Sequence, residues 1–324
     1  MKKMMRPLLY TLSSFLLVLI ILFSVYAQRD IPVEKLKLKY AQSPSKFLPL
    51  MGMQVHYRDE GNPNDPSPLI LIHGTSSSLN TWDSVVKIIV SNPKNKKRII
   101  RFDLPAFGLT GPNPENDYGG AYYINFVDSF LNVLQINKCT ITGNSLGGGI
   151  AWQYAVVHPE KVNKVILLDA TGYPQKNEKG SLGFKIASLP IINNLLLFIT
   201  PKSLIKKSLE TVFYDKSFVT EATVTRYHEL LLSAGNRRAT LSLFKSRRPL
   251  NPKEIKSIQQ PTLIIWGEQD QLISVDNAYL FKQDIKNSQL FILPNVGHIP
   301  MEESYLKVAN AIQAFINLCL QASK

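Results

Sequence analysis

The 324-residue chain has only two cysteines, Cys139 and Cys319. They form no metal-ligand spacing, and their apolar surroundings read as core positions rather than as a disulfide. There is no zinc-binding pattern, no phosphate-cradling G-x-x-x-x-G-K-S/T loop and no G-x-G-x-x-G fingerprint, so no metal and no cofactor is implied. A module of interleaved basic and aromatic residues is also lacking, which argues against nucleic acid as a partner although the formal net charge is +13. That charge is uneven. Residues 1–39 carry seven Lys and Arg against two Asp and Glu, and residues 172–250 carry thirteen against five. Residues 40–171 and 251–324 are close to balance. The short runs 94–98 (KNKKR) and 245–248 (KSRR) read as solvated faces. Acidic residues are missing altogether between Glu178 and Glu210. With 45% apolar and 19% charged residues the chain is globular, and its length suits one large domain carrying an insertion.

Residues 8–27 contain no charge. Twenty helical residues span about 30 Å, the thickness of a bilayer core, so residues 1–30 are expected to form an N-terminal transmembrane anchor. Val25-Tyr26-Ala27 also fits a small-x-small cleavage site, which would instead leave a secreted or periplasmic protein. Lys2, Lys3 and Arg6 precede the span while Arg29, Lys35, Lys37 and Lys39 follow it, so basic residues flank both ends. The short basic tail fits a signal anchor with the remainder of the chain outside the cytoplasm.

Beyond residue 50, short β-rich runs alternate with helical patterns, the signature of a mostly parallel sheet wrapped by helices. The expected strands are 53–58, with the alternation of an edge strand, then 69–73, 98–102, 138–142, 164–168, 262–266 and 289–293. Helical patterns cover 122–134, 146–157 and 304–320. No strand is visible between Asp169 and Pro261, where helical stretches are separated by Pro190, Pro201, Pro249 and Pro252. Residues 173–249 are therefore expected to be a helical cap, inserted between a first core segment (31–172) and a second (250–324).

The stretch Gly143-Asn144-Ser145-Leu146-Gly147 lies where an expected strand meets an expected helix. A serine on so sharp a turn needs small neighbours, which Gly143 and Gly147 provide. The N–H groups of the following helix face any negative charge that develops there. Serine at neutral pH needs a base, and the base needs an orienting carboxylate. Of the five histidines, His56 lies in a strand pattern, His158 ends a helix, His228 sits in the cap, and His73 reads as shaping a loop. His298 follows the last strand, at the sheet edge where open α/β sheets bind ligands. Asp169 and Asp270 both follow strands; Asp270 is preferred because its strand neighbours the one that leads to His298. An oxyanion hole needs two backbone donors, assigned to the N–H groups of Leu146 and Thr75.

Five motifs now stand in order: Leu71-Ile72-His73-Gly74, Asp103-Leu104-Pro105-Ala106-Phe107-Gly108, Gly143-Asn144-Ser145-Leu146-Gly147-Gly148, Gly267-Glu268-Gln269-Asp270 and Gly297-His298. Through them the chain, from about residue 50 to its end, resembles the α/β-hydrolase superfamily, which has the nucleophile–acid–base order Ser145, Asp270, His298. Ala106 departs from the pattern, which usually has glycine there. The resemblance implies a serine hydrolase, and a serine nucleophile argues against the dehalogenase and epoxide hydrolase branches, which use aspartate. The apolar stretch 184–199, with Lys185, Lys202, Lys206 and Lys207 around it, reads either as a membrane-facing surface or as a cap over the pocket. Together with the anchor it is similar to membrane-bound monoacylglycerol lipases. The expected activity is hydrolysis of carboxylic esters with apolar, lipid-like acyl groups. The alternatives are carbon–carbon bond hydrolysis, because the G-N-S-x-G-G elbow also resembles hydrolases of that type, and a non-catalytic binding protein on the same fold.

Overall fold

The computed structural model describes residues 26–92, 97–174, 182–189, 192–246 and 250–317, and of the first 25 residues only 14 and 17. Almost all of the expected span 8–27 lies outside the described residues, as does Cys319. Among the described residues no helix is long and apolar enough to cross a membrane.

Eight strands form one sheet: β1 (Ser45–Leu50), β2 (Met53–Gly61), β3 (Leu69–Ile72), β4 (Arg98–Phe102), β5 (Cys139–Asn144), β6 (Val162–Leu168), β7 (Thr262–Gly267) and β8 (Ser288–Leu293). Their spatial order is β1-β2-β4-β3-β5-β6-β7-β8. Only the β1–β2 and β2–β4 pairs are antiparallel; the other five are parallel. Along β3, Ile70 and Ile72 enter one apolar core while Leu69 and Leu71 enter another. Both faces of the sheet are thus covered, as continuous apolar runs require. Helices α1 (Val33–Tyr40), α2 (Asp83–Ser91), α3 (Gly120–Val133) and α4 (Leu146–Val157) occupy the first half of the chain. The first of these, α1, packs beside the outer strand, with Phe47 of β1 against its apolar residues and under the Lys37 ammonium.

The expected strand 53–58 is not the edge. That place belongs to β1, which sequence reading missed because Pro49 interrupts it. Pro49 lies opposite Gln54 in the register, and an outermost strand tolerates a residue that cannot donate a ladder hydrogen bond. Between β6 and β7 the described residues contain helices and no strand: α5 (Leu182–Ser188), α6 (Lys202–Val212), α7 (Glu221–Leu231) and α8 (Asn236–Ser246). These are the cap. The chain closes with α9 (Asp276–Asp284), β8, the single turn α10 (Pro300–Glu303) and α11 (Tyr305–Asn317).

The segment from residue 28 to 40 fastens to the cap. Arg237 on α8 donates through Nε and Nη2 to Asp30 Oδ1 at 2.9 and 2.6 Å, and through Nη2 to the carbonyl of Gln28 at 2.7 Å. Backbone bonds join Gln28 N to Phe198 O, Ile31 N to Leu232 O and Ala234 N to Ile31 O. Leu36 and Tyr40 on α1 pack with Leu230 on α7, and Tyr40 donates its hydroxyl to Glu229 at 2.6 Å.

Candidate active site

The chain crosses from β3 to β4 on one side and reaches β5 on the other, so the order of connections reverses between the parallel neighbours β3 and β5. Crevices at such a point, beyond the carboxyl ends of the strands, are where open α/β sheets hold ligands. Ser145 sits there, between β5 and α4, with φ 54° and ψ −117°, a backbone shape that costs a non-glycine residue about 1–3 kcal/mol. Its neighbours permit the turn. A Cβ on Gly143 would lie 2.1 Å from the carbonyl oxygen of Gly147, and one on Gly147 would lie 2.4 Å from that of Ile72. The turn is pinned by Ser145 N donating to Leu168 O at 3.0 Å and by Thr171 N donating to Ser145 O at 3.1 Å. Leu146 is the first residue of α4, and N–H groups of a first helical turn have no partner within the helix.

His298 lies on the loop after β8. Its Nδ1 meets Asp270 Oδ2 at 2.7 Å, and Asp270 Oδ1 accepts from the backbone N–H groups of Leu272 and Ile273 at 2.7 and 3.1 Å. Of the two acids the sequence offers, Asp270, the preferred one, is the one against the imidazole. Asp169 stands behind it. Fully buried at the end of β6, Asp169 accepts from Gly267 N at 2.9 Å. Burial, and then the negative charge of Asp270, raise the pKa of its carboxyl well above the ordinary range. Asp169, Asp270 and His298 are also the one set among the described residues whose donor atoms, within 4.8 Å of one another, could hold a metal ion. The 2.7 Å bond between His298 Nδ1 and Asp270 Oδ2 is also the arrangement of a proton-handling pair.

The sequence offered no role for Asn144. Its Nδ2 donates to the carbonyl of His298 at 3.0 Å and to that of Leu168 at 3.3 Å. The side chain therefore ties the serine's turn to the histidine's loop. The remaining histidines stand apart. His56 is buried, not exposed on an edge, between Asp103 Oδ2 at 2.7 Å and Ser45 Oγ at 2.8 Å. His73 bonds the carbonyl of Gly74 through Nδ1 at 2.7 Å and accepts from Leu104 N through Nε2 at 2.9 Å. Burial depresses its pKa, so it is neutral, and it holds the loop that carries Thr75. His228 bonds the Thr200 carbonyl within the cap, and His158 lies near Asp128 and Glu160. Asp103 anchors the Asp103–Gly108 loop by accepting from Leu79 N at 2.7 Å and Leu109 N at 2.8 Å. Ala106, where the pattern usually has glycine, takes φ 84°.

Ser145, His298 and Thr75 line one cavity of about 1040 Å³, measured with its open mouth. The cap supplies most of the opposite wall, including Phe184, Leu196, Leu209, Leu241 and Phe244. Arg237 and Thr240, on the same cap helix, line it as well; neither was legible as a site residue in the sequence.

Comparison with known proteins agrees with this architecture. The profile of the α/β-hydrolase fold family matches residues 67–185 and 196–305. An uncharacterized hydrolase of Bacillus subtilis, YugF, is 27% identical over 277 residues, covering 85% of this chain and 99% of its own. The monoacylglycerol lipase ABHD6 of Mus musculus is 25% identical, covering 82% of this chain and 83% of its own. Among solved structures, a meta-cleavage product hydrolase from Pseudomonas fluorescens IP01 superposes with a TM-score of 0.72 at 24% identity, covering 84% of this chain and 97% of that one. That likeness speaks to fold alone. This chain belongs to the α/β-hydrolase fold family.

Proposed function

We propose that the protein is a serine hydrolase that cleaves carboxylic esters of apolar acyl chains through an acyl-enzyme. The observation that carries this reading is the 2.7 Å bond between His298 Nδ1 and Asp270 Oδ2, in the cavity that Ser145 also lines. Ser145 Oγ attacks the ester carbonyl while His298 Nε2 takes its proton. Asp270 holds the Nδ1–H side of the ring and stabilises the imidazolium. The N–H groups of Thr75 and Leu146 receive the negative charge on the tetrahedral oxygen. As the C–O bond breaks, His298 returns the proton to the departing alcohol. Water then attacks the acyl-enzyme with His298 again as base, and the carboxylic acid leaves.

The apolar cap wall supports an acyl-chain site, and the monoacylglycerol lipase relative supports a lipid-like ester. Carbon–carbon bond hydrolysis, which the G-N-S-x-G-G elbow also suggests, is the second reading, supported by the 2-hydroxy-6-oxo-2,4-heptadienoate hydrolase of Pseudomonas putida at 23% identity. The bond of the Asn144 side chain to the His298 carbonyl gives that residue a place whatever the reaction. Ser145→Ala is expected to lower kcat for p-nitrophenyl esters by about 10⁶-fold and to abolish labelling by a fluorophosphonate probe. Turnover or labelling equal to that of the unaltered protein would sink the assignment. A folded protein inactive on a broad ester panel would favour the non-catalytic binding reading. We place the protein at a membrane, held by residues 8–27, with the hydrolase domain outside the cytoplasm. Carbonate-resistant sedimentation with the membrane fraction, and protease access from the outer side, test that placement.

A further inference from the structure

Two buried polar groups in the cavity wall have no use in this mechanism. Arg237 is the one lysine or arginine among the described residues that line the cavity. Its side chain is 6% exposed, and Nε and Nη2 are taken by Asp30 and the Gln28 carbonyl. Its Nη1 is buried with no hydrogen-bond partner. Thr240, three residues on along α8 and so on the same helix face, also lines the cavity, and its Oγ1 is likewise buried and unpartnered. Among the described side chains these are the only two unpartnered buried polar atoms on residues that line the cavity. A buried donor without a partner is costly in an apolar surrounding, and a bound ligand removes that cost.

We infer that Arg237 Nη1 and Thr240 Oγ1 form a seat for an uncharged oxygen of the substrate, a hydroxyl or carbonyl beyond the ester being cleaved. This rests on the ester-hydrolase reading and narrows its substrate class to neutral oxygenated esters such as glycerol monoesters. Charge decides against an anion. Asp30 already offsets the guanidinium, so a carboxylate in the seat would leave a net negative charge among apolar side chains, whereas a hydroxyl accepts from Nη1 and exchanges a hydrogen bond with Thr240 at no such cost.

The test compares kcat/KM for glycerol mono-octanoate, methyl octanoate and the methyl monoester of octanedioic acid. The unaltered protein is expected to favour the glycerol ester over methyl octanoate by about tenfold, and Thr240→Val to cut that preference about fivefold. Arg237→Lys, which keeps a charge for Asp30, is expected to cut it in the same direction. No preference in the unaltered protein, an equal preference in Thr240→Val, or a preference for the acidic monoester overturns the seat. Turnover of none of the three esters would count against the ester reading itself. Calorimetric binding of the non-hydrolysable ether 1-O-octylglycerol then still decides the seat, since equal Kd values for the unaltered protein and Thr240→Val would overturn it.

Discussion

The sheet core and the cap solve different problems, and their residues show it. Residues 40–171 are nearly neutral, and the core places its strands so tightly that glycine is the only residue that fits at Gly143 and Gly147. The cap is basic and helical, and it is joined to its neighbours by the bonds of Arg237 to Asp30, Tyr40 to Glu229 and Arg226 to Glu302, together with Leu209, Phe213 and Val224 packed against the core. Close packing fixes the reacting groups to within fractions of an ångström. The cap helices, packed in part against that core, leave the cavity of about 1040 Å³ between themselves and the carboxyl ends of the strands. The residues to which the proposed mechanism gives the chemistry, Ser145, Asp270 and His298, all come from the core, while the cap supplies most of the opposite cavity wall.

Three substitutions probe that contrast, in order of expected size. Gly147→Ala pushes a Cβ to 2.4 Å from the Ile72 carbonyl oxygen and 2.6 Å from that of His73. Backbone cannot yield as a flexible side chain can, so a loss of about 3 kcal/mol in stability and at least about 10²-fold in turnover is expected. Urea unfolding and ester kinetics measure the two. An unaltered variant would mean that the core is looser than its packing implies.

Asp169→Asn removes a carboxyl whose pKa burial raises in the folded protein, so that above its ordinary pKa it holds its proton more tightly folded than unfolded. In that window the folded state binds one more proton, so its stability falls as pH rises, by about 1.4 kcal/mol per unit from this group. The fall continues up to the raised folded-state pKa. The asparagine variant is expected to lose this slope, so its melting temperature should gain on that of the unaltered protein as pH rises from about 4. Parallel melting curves across pH would show that Asp169 is not held protonated.

Asp30→Ala deletes the cap's fastening at one point. Asp30 is 38% exposed, so solvent screens the pair and the expected loss is about 1 kcal/mol. Its location matters more than its size. Hydrogen exchange should quicken in α7 and α8 and stay as it was in β3, β5 and β6. Uniform quickening would mean that cap and core unfold as one unit.

Much of the core was legible because local signals agree with the global arrangement. The apolar runs at 98–102 and 262–266 are strands to within a residue, and the helix after Ser145 has the expected bounds. What escaped was whatever depends on partners far away in sequence. β1 escaped because Pro49 argues locally against a strand and only its edge position excuses it. The preference for Asp270 over Asp169 did not escape, because the order of strands along the sheet already pointed to the loop beside His298. The pairing of Asn144 with the His298 carbonyl spans 154 residues, and that of Arg237 with Asp30 spans 207; no periodicity or motif foretells such bonds. Ala106 shows the converse. A local rule favours glycine at φ 84°, yet the buried loop around it, tied by Ala106 N to Gly111 O at 2.7 Å, imposes the conformation on alanine.

The fastening of the N-terminal segment has one further consequence. Every bond by which residues 28–31 hold the cap begins at Gln28 or later, one position past Ala27, the end of the small-x-small sequence. A peptidase cutting after Ala27 would therefore release whatever precedes it and leave the cap's strap whole. Retention and processing of the leader would yield enzymes that differ in address but share one architecture.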